Sequence, residues 1–363
     1  MIRTTVKIAM SAVGATLAGM LFVGVFVGAL HQPAPRQVPV GVAGPAAAAR
    51  QVGADLARHS PGAFTVTAYP DAAAARQAID DRDVDAALVP GLGGPRLLVA
   101  GADGPFATQD VTGAFQAEAA AAGQHLTVTD IRPLPPGDQT GIAPLFVFLG
   151  LALPGAVFGI MLAGVVGKRL NGPAKLASLV GFAILTALAA TWITDGMTGA
   201  LPGNPAGLIG IVGLTAFAVS TAYTAAYRLA GLPLAVGLLL LFVPVGISAA
   251  GGVLGPAFIT SWYAQLGSGL PASAAMPAIR DVVSFGGHAL AGPLLVLCLW
   301  AGISAIVLAL PRPRLPRRRT WWSAALARPG AGPVRSGPAR GPGGQQSRQS
   351  AREHTVTTRR SAR

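Results

Sequence analysis

The sequence predicts an α-helical polytopic membrane protein with six transmembrane helices and an α/β domain inserted after the first helix. Three observations predict this class. The chain is 52% hydrophobic and only 11% charged, whereas soluble domains usually contain about 25% charged residues. Six apolar runs are long enough to cross a bilayer, which takes roughly 18 or more residues with few charges. The segment between the first two runs instead alternates between strand and helix patterns. The six runs are 8–30, 145–166, 176–194, 206–227, 232–254 and 289–310.

Residues 1–30 are predicted to form an N-terminal signal-anchor helix. Arg3 and Lys7 precede the apolar run, as basic residues do in a secretory signal peptide. The run is longer than the about 7–15 residues of a signal-peptide core, and no A-x-A cleavage pattern follows Ala29. The pattern therefore favours an uncleaved transmembrane anchor.

Residues 31–141 are predicted to form the α/β domain. Strand patterns occur in VPVGVAG, FTVTAYP, VDAALVP, RLLVAG and LTVTDIRPL, and helical patterns cover 46–59, 71–82 and 105–124. Asp71 follows Pro70 and is placed to cap the second of these helices. Strands that alternate with helices favour a partly parallel sheet covered by helices, with a core that closes without the membrane.

Residues 142–310 contain the other five apolar runs and are predicted to form a five-helix transmembrane bundle. Gly24 and Gly28 in the first run, and Gly155 and Gly159 in the second, have the G-x-x-x-G spacing that lets two helices approach closely. These four glycines are the candidate helix-packing positions. The same spacing makes a homodimer a candidate assembly.

Residues 311–363 are rich in Pro, Gly, Ser and Arg and contain few apolar residues. Such a composition cannot bury enough apolar surface to fold, so a disordered basic tail is predicted. Arginines that directly follow a last span attract anionic lipid headgroups, which makes membrane lipids the expected partners. A solvated stop-transfer flank is the simpler interpretation of the same residues. This basic cluster consists of Arg312, Arg314, Arg317, Arg318 and Arg319.

The distribution of charge predicts the orientation in the membrane. With a cytoplasmic N-terminus and six alternating spans, 19 of the 27 basic residues but only one of the 14 acidic residues lie on the inner side. The short loops then obey the positive-inside rule. We therefore expect both termini to be cytoplasmic and the α/β domain to be extracytoplasmic. The net charge of +13 reflects this topology, and no nucleic-acid partner is expected.

The sequence contains no recognisable catalytic or cofactor motif. GVVGKR, residues 164–169, lacks the first glycine and the final Ser or Thr of a phosphate-binding P-loop. DRDVDAALVPGL, residues 81–92, has the first carboxylates of a calcium loop but neither its turn glycine nor its closing glutamate, which favours a helix-to-strand corner. The five histidines are scattered, and the single Cys298 is expected to be a small buried apolar residue. We therefore expect no enzymatic activity, no cofactor and no metal.

Residues 270–288 are predicted to form an outer amphipathic connector before the last span. On a helix, Ile279 and Val282 fall on one arc, whereas Arg280 and Asp281 fall on the opposite arc. A charge at the centre of a membrane is costly, so the connector is placed at the outer surface. We therefore expect the apolar arc to be buried and both charges to face water.

The ends of this connector are predicted from proline and glycine. Pro277 suits the first position of the helix, and two consecutive glycines suit its exit. The candidate connector residues are Leu270, Pro271, Ile279, Arg280, Asp281, Val282, Phe285, Gly286 and Gly287.

Two stretches of the chain resemble a known family. YPDAAAARQAIDDRDVDAALVP lies in the α/β domain, and LPASAAMPAIRDVVSFGG precedes the last span. With the order of one span, an inserted domain and five further spans, they resemble the permeases of type-2 ABC exporters. The chain is more closely similar to the phage infection protein group of bacterial integral membrane proteins. The resemblance covers roughly residues 1–310.

The resemblance implies the integral membrane subunit of an export system in the bacterial plasma membrane, with no ATPase site of its own. A separate ATP-binding subunit is a candidate partner. The chain departs from these exporters before the first run, where only seven residues stand, and in the loop GKRLNGPAK, which has no carboxylate. The alternative is a non-transporting cell-envelope protein whose extracytoplasmic domain binds a surface ligand or partner. Five spans after the inserted domain exceed what anchoring needs, which favours transport.

Overall fold

The computed structural model of the protein describes residues 2–31, 33–91, 94–252 and 254–310. Six helical segments are long and apolar enough to cross a membrane, as predicted for a polytopic membrane protein. They are Ala12–Ala29, Ala143–Gly164, Gly172–Met197, Pro205–Ala230, Leu232–Ala249 and Ala291–Ala309. The predicted basic cluster from Arg312 to Arg319 lies outside the described residues.

Helices dominate the described chain, and the strands are confined to the segment between the first two spans. The helices are α1 (Ile2–Leu30), α2 (Ala46–His59), α3 (Ala72–Asp80), α4 (Pro105–Ala121), α5 (Ala143–Gly164), α6 (Gly172–Thr191), α7 (Pro205–Ala230), α8 (Leu232–Leu240), α9 (Gly246–Ala249), α10 (Ser261–Gly267), α11 (Pro271–Ser284) and α12 (Ala291–Ala309). The strands are β1 (Val38–Ala43), β2 (Phe64–Tyr69), β3 (Ala86–Val89), β4 (Arg96–Val99) and β5 (Thr127–Asp130). A π-helical turn at Leu241–Val245 joins α8 to α9 around Pro244, which has no N–H to donate.

The five strands form one sheet in the order β2-β1-β3-β4-β5. Neighbouring strands are parallel, except that β3 and β4 are antiparallel. The predicted strand and helix patterns of this segment each correspond to an observed element, and the sheet is partly parallel as expected. Asp71 caps α3 as predicted, because its carboxylate accepts the N–H of Ala74 at 2.8 Å.

The sheet has a core on each face, since successive strand residues point to opposite sides. Leu97 packs with Phe115 of α4 on one face, whereas Leu98 packs with Ile79 of α3 on the other. Phe285, which follows α11 and is only 1% exposed, completes the second core. The core of the α/β domain therefore includes a side chain from the membrane part, contrary to the expectation that it closes by itself.

Helix α7 is the centre of the bundle and packs against α5, α6, α11 and α12. Gly155 and Gly159 bring α5 close to it, and a Cβ atom at Gly159 would lie 2.7 Å from the carbonyl oxygen of Ser220. Gly24 and Gly28 differ, because a Cβ atom at either position would meet no atom within 4 Å. One predicted glycine pair thus packs two helices of the described chain together, and the other faces open space.

The last span, α12, is held at its C-terminal end and is exposed along one side. Arg228 of α7 donates hydrogen bonds to the carbonyl oxygens of Leu308 and Leu310, at a helix end where carbonyls lack intrahelical partners. Cys298 is exposed on the same face as Leu295 and Leu299. The expectation of a buried thiol is therefore wrong, because no helix of the described chain covers this side of the span.

The connector helix, α11, begins earlier than the sequence predicts. Leu270 is its N-cap and Pro271 stands in its first turn, so Pro277 lies inside the helix and not at its start. The glycine exit is present, with φ of +72° at Gly286 and +86° at Gly287. Glycine adopts this left-handed backbone without the steric cost that other residues bear.

Candidate functional site

A cavity of about 590 Å³ lies between the α/β domain and the membrane bundle, and we call it the chamber. Its volume is within the range of about 300–1,000 Å³ that is usual for small-molecule sites. The wall is mostly apolar, with one group of charged side chains contributed by the domain and by α11. These charged residues are Arg82, Asp85, Asp103 and Arg280.

The connector helix presents one face to the chamber. Ser273, Pro277 and Arg280 line it and are spaced four and three residues apart, which places them on the same side of a helix. The Ser273 hydroxyl is buried and has no hydrogen-bond partner among the described residues. Its carbonyl oxygen also lacks the usual donor, because Pro277 has no N–H. A residue of the chamber wall thus has a buried hydroxyl without a partner in the described part of the chain.

Arg82 joins the domain to the connector helix. It lies at the corner between α3 and β3 with φ of +61°, which is uncommon for a residue other than glycine. Its guanidinium donates to the carbonyl oxygen of Pro277 at 3.0 Å and forms an ion pair with Asp103. It also lies 5.3 Å from the ring centroid of Phe285, in a cation–π contact. One side chain thus contacts α11, the turn before α4 and the second core of the sheet.

Asp85 and Asp103 form the acidic part of the chamber wall. Burial raises the pKa of Asp85 well above its usual value of 3.8, and the adjacent, hydrogen-bonding carboxylate of Asp103 raises it further. The guanidinium of Arg82 opposes this shift of the Asp85 pKa. Asp85 is therefore expected to keep its proton at pH values where an exposed aspartate has lost it. Asp103 acts as the counter-ion of Arg82.

Arg280 has no such counter-ion. Its guanidinium donates to the carbonyl oxygen of Gly141 at 3.2 Å. Within the described ranges, no carboxylate lies within 4.0 Å of its nitrogen atoms. Burial lowers the pKa of Arg280, and the charges of Asp103 and Asp138 only partly oppose this. The surroundings thus stabilise the cation less than water does, although an arginine stays charged at physiological pH.

Asp281 does not face water, contrary to the prediction. It is fully buried, and its Oδ2 accepts the N–H of Ala289 at 3.1 Å. Its Oδ1 has no partner in the part of the chain that the structure describes. Burial raises the pKa of Asp281, while Arg82, the Ala289 N–H and His288 lower it. The prediction that Arg280 and Asp281 face water is wrong because the α/β domain covers the arc of α11 that carries them.

The apolar arc of the connector is buried in the bundle. Ile279 and Val282 belong to the same core cluster as Leu208 of α7, and they are 0% and 4% exposed. Leu270 and Pro271 are buried at the start of the helix. The candidate connector residues are therefore brought together in one element, and of them only Arg280 lines the chamber.

Sequence reasoning singled out Arg280 but missed its neighbours in the chamber. Arg82 and Asp85 lie in DRDVDAALVPGL, whose pattern predicts a helix-to-strand corner, and Asp103 has no distinguishing pattern. Arg82 and Pro277 are 195 positions apart, so no local periodicity indicates their contact. The only available signal was the density of charge at this corner of the domain.

Neither a search for metal sites nor the comparison with known proteins assigns a role to these residues. The described residues contain no group of three or more His, Cys, Asp or Glu side chains that could hold a metal ion. No family model, no curated protein and no solved structure matches the chain.

Proposed function

We propose that the chain is the integral membrane subunit of an export system and that the chamber holds the exported molecule. This proposal is carried by the position of Arg280, a part-buried cation in the chamber wall whose nitrogen atoms have no carboxylate within 4.0 Å among the described residues. A cation removed from water without a counter-ion is unfavourable, and a ligand of opposite charge removes that cost. An anchor needs no such group.

The proposed orientation places the α/β domain and the chamber outside and both termini in the cytoplasm of a bacterial cell. Its support is the charge distribution, because this orientation leaves a single acidic residue, Glu353, on the inner side. In this orientation the chamber lies at the outer surface of the membrane, where an exporter releases its cargo.

The packing of the bundle also favours transport over anchoring. One apolar helix is sufficient to anchor a domain, whereas the described chain has five further spans, four of which pack around α7 or against it: α5, α6, α8 and α12. Thr215, Thr221 and Thr224 of α7 are buried, and each hydroxyl donates to a carbonyl oxygen of the same helix. A polytopic bundle of this kind provides a packed structure that can change conformation as a unit.

The proposal is tested by isolating the full chain from native membranes in a mild detergent. Since the chain contains no nucleotide-binding motif, we expect a separate ATP-binding subunit to co-purify and the isolated complex to hydrolyse ATP. In the proposed orientation, the turn between α5 and α6 faces the cytoplasm and is the expected contact for that subunit. Replacing residues 166–170 by a Gly-Ser linker of equal length should remove both the subunit and the ATPase activity.

One control and one outcome decide this experiment. The linker variant must elute from size-exclusion chromatography as the unchanged chain does, so that loss of the subunit does not reflect unfolding. Repeated isolation without an ATP-binding subunit, together with a cell-surface component held by the α/β domain, would contradict export. It would instead support the alternative, an envelope protein whose domain binds a surface ligand.

A further inference from the structure

We infer that the chamber binds an anionic amphiphile, with Arg280 as the counter-ion of its acidic headgroup and the apolar wall around its hydrocarbon chain. The inference rests on the proposed export function, because it names the class of molecule that occupies the chamber. The headgroup is one that carries a single negative charge, such as a carboxylate or a phosphodiester.

The charges of the chamber wall leave one cation unmatched. Arg82 is paired directly with Asp103, whereas Arg280 donates only to a backbone carbonyl. Asp85 forms no ion pair with Arg280 among the described residues, and burial together with the adjacent Asp103 carboxylate raises the pKa of Asp85. Arg280 is thus a cation of the described chamber wall without a carboxylate within 4.0 Å, and a ligand with one acidic group can pair with it.

Arg280 also borders a second, much smaller cavity among the described residues. The second cavity is lined by Leu134, Asp138 and Val283, among others, and has a volume of about 10 Å³. A space of that size holds about one water molecule. Of these two cavities, the chamber is the one with room for a ligand that pairs with Arg280.

The rest of the chamber selects an apolar chain. Leu254, Phe258, Met276 and Val296 contribute to its wall, and they come from the segment after the fifth span, from α11 and from α12. A sugar or peptide body would lose hydrogen bonds to water against these side chains, whereas a hydrocarbon chain would gain from burial. Free phosphate would leave this apolar wall without contacts.

Two polar side-chain atoms close to the chamber are enclosed by protein. Arg82 Nε and the Ser273 hydroxyl belong to residues that line the chamber. Both atoms are buried without a hydrogen-bond partner among the described residues. Because both atoms are enclosed, Arg280 is the donor that a headgroup in the chamber meets.

The inference is tested with the full-length protein in nanodiscs of phosphatidylcholine, a lipid without net charge. The probe is palmitic acid that carries a photoreactive diazirine in its chain. We expect saturable labelling that maps to residues which line the chamber, such as Leu254, Phe258, Ala289 or Val296. Unlabelled palmitate should compete, whereas methyl palmitate, which lacks the charge, and inorganic phosphate, which lacks the chain, should not.

Two variants test the contacts with the acidic headgroup and with the hydrocarbon chain of the ligand, and a third variant is the matched control. Arg280→Gln should weaken the apparent affinity for the probe at least tenfold, because the charge-assisted hydrogen bonds are lost. Ala264→Trp should also prevent labelling, since it fills the chamber without changing a charge. Arg76→Gln, on the exposed side of α3, should label as the unchanged protein does. A thermal melt of each protein in the same nanodiscs shows whether it is folded.

The outcomes distinguish this inference from the proposed function. Three results would overturn the inference without contradicting the proposed export function. They are equal competition by methyl palmitate, unchanged affinity in Arg280→Gln, and labelling only on the outer faces of the spans. If the chamber is labelled but no ATP-binding subunit is found in the native complex, the binding site is supported and the proposed export function is contradicted. Inorganic phosphate as an effective competitor would show that the site binds a free anion and would overturn the amphiphile.

Discussion

Arg82 and Arg280 belong to the same chamber wall, yet their surroundings assign them different roles. Arg82 contacts the carboxylate of Asp103, the carbonyl oxygen of Pro277 and the ring of Phe285. Its left-handed backbone costs of the order of 1–3 kcal/mol and persists only because such contacts hold it. Arg280 contacts a single backbone carbonyl and borders the chamber. Arg82 therefore holds the domain on the connector helix, whereas Arg280 is free to meet a ligand.

The buried carboxyl of Asp85 makes the stability of the protein depend on pH. Its pKa is raised in the folded protein, first by burial and then by Asp103, and lies near 3.9 in an unfolded chain. The folded state thus binds more protons between these two values, and its stability falls as the pH rises through that window. Asp85→Asn stays uncharged, so we expect its Tm to exceed that of the unchanged protein by a margin that grows from about pH 4 upward.

The measurement is a series of thermal melts of the full chain in detergent across that pH range. The margin should become constant once the pH exceeds the pKa of Asp85 in the folded protein. Asp110→Asn, on the exposed side of α4, is the matched control and should follow the unchanged protein at every pH. If Asp85→Asn and the unchanged protein have parallel profiles, Asp85 does not titrate as proposed.

At the scale of elements, the connector helix shows what sequence periodicity can and cannot predict. The helical period correctly places Ile279 and Val282 on one arc and Arg280 and Asp281 on another. The period does not determine what covers each arc. The cover of the charged arc is the α/β domain, whose contacting residues lie far away along the chain. The element could therefore be predicted from the sequence, whereas the environment of its two charges could not.

In the α/β domain, too, the elements could be predicted from the sequence, whereas their surroundings could not. Each strand and helix is encoded in a local pattern, from the alternation of FTVTAY in β2 to the Asp71 cap of α3. The core that these elements form also contains Phe285, a residue that no pattern within 31–141 specifies. The candidate site was unpredictable for the same reason, because its charges come from both sides of this long-range contact.

Substitutions at the two glycine pairs are expected to have different effects on stability. Gly159→Leu should destabilise the protein by about 1–3 kcal/mol or more, since a Cβ atom there would lie 2.7 Å from the backbone oxygen of Ser220, which cannot move aside. Gly24→Leu should change the stability by less than about 0.5 kcal/mol, because its Cβ atom would lie in open space. Thermal melts and light scattering of both variants in one detergent test this. Equal destabilisation by the two changes would contradict the packing described for α1 and α5, and loss of a dimer in Gly24→Leu alone would support a homodimer through α1.

At the scale of the whole molecule, the α/β domain is fixed to the bundle at several separate points. The N–H of Arg36 donates to the carbonyl oxygen of Ala257 at 2.9 Å, on the way into β1. Asp138, on the way out of the domain, accepts the N–H groups of Ile142 and Ala143 at 3.0 and 2.9 Å, at the start of α5. Arg82 and Phe285 add contacts in between. The chamber is therefore formed where the α/β domain meets the bundle, and both contribute residues to its wall.

The last prediction concerns the orientation of the whole chain, on which the placement of the chamber outside the cell depends. Cys298 is the only cysteine, so Cys298→Ser gives a background in which single cysteines can be introduced. We expect a membrane-impermeant thiol reagent to label Ala73→Cys, on the exposed start of α3, in intact cells. Ala174→Cys, in the first turn of α6, should be labelled only after the membrane is opened, because the basic loops remain inside. Ser273 is unsuitable as a reporter, since its side-chain oxygen is buried. Labelling of Ala174→Cys but not of Ala73→Cys in intact cells would reverse the orientation and place the chamber at the inner surface.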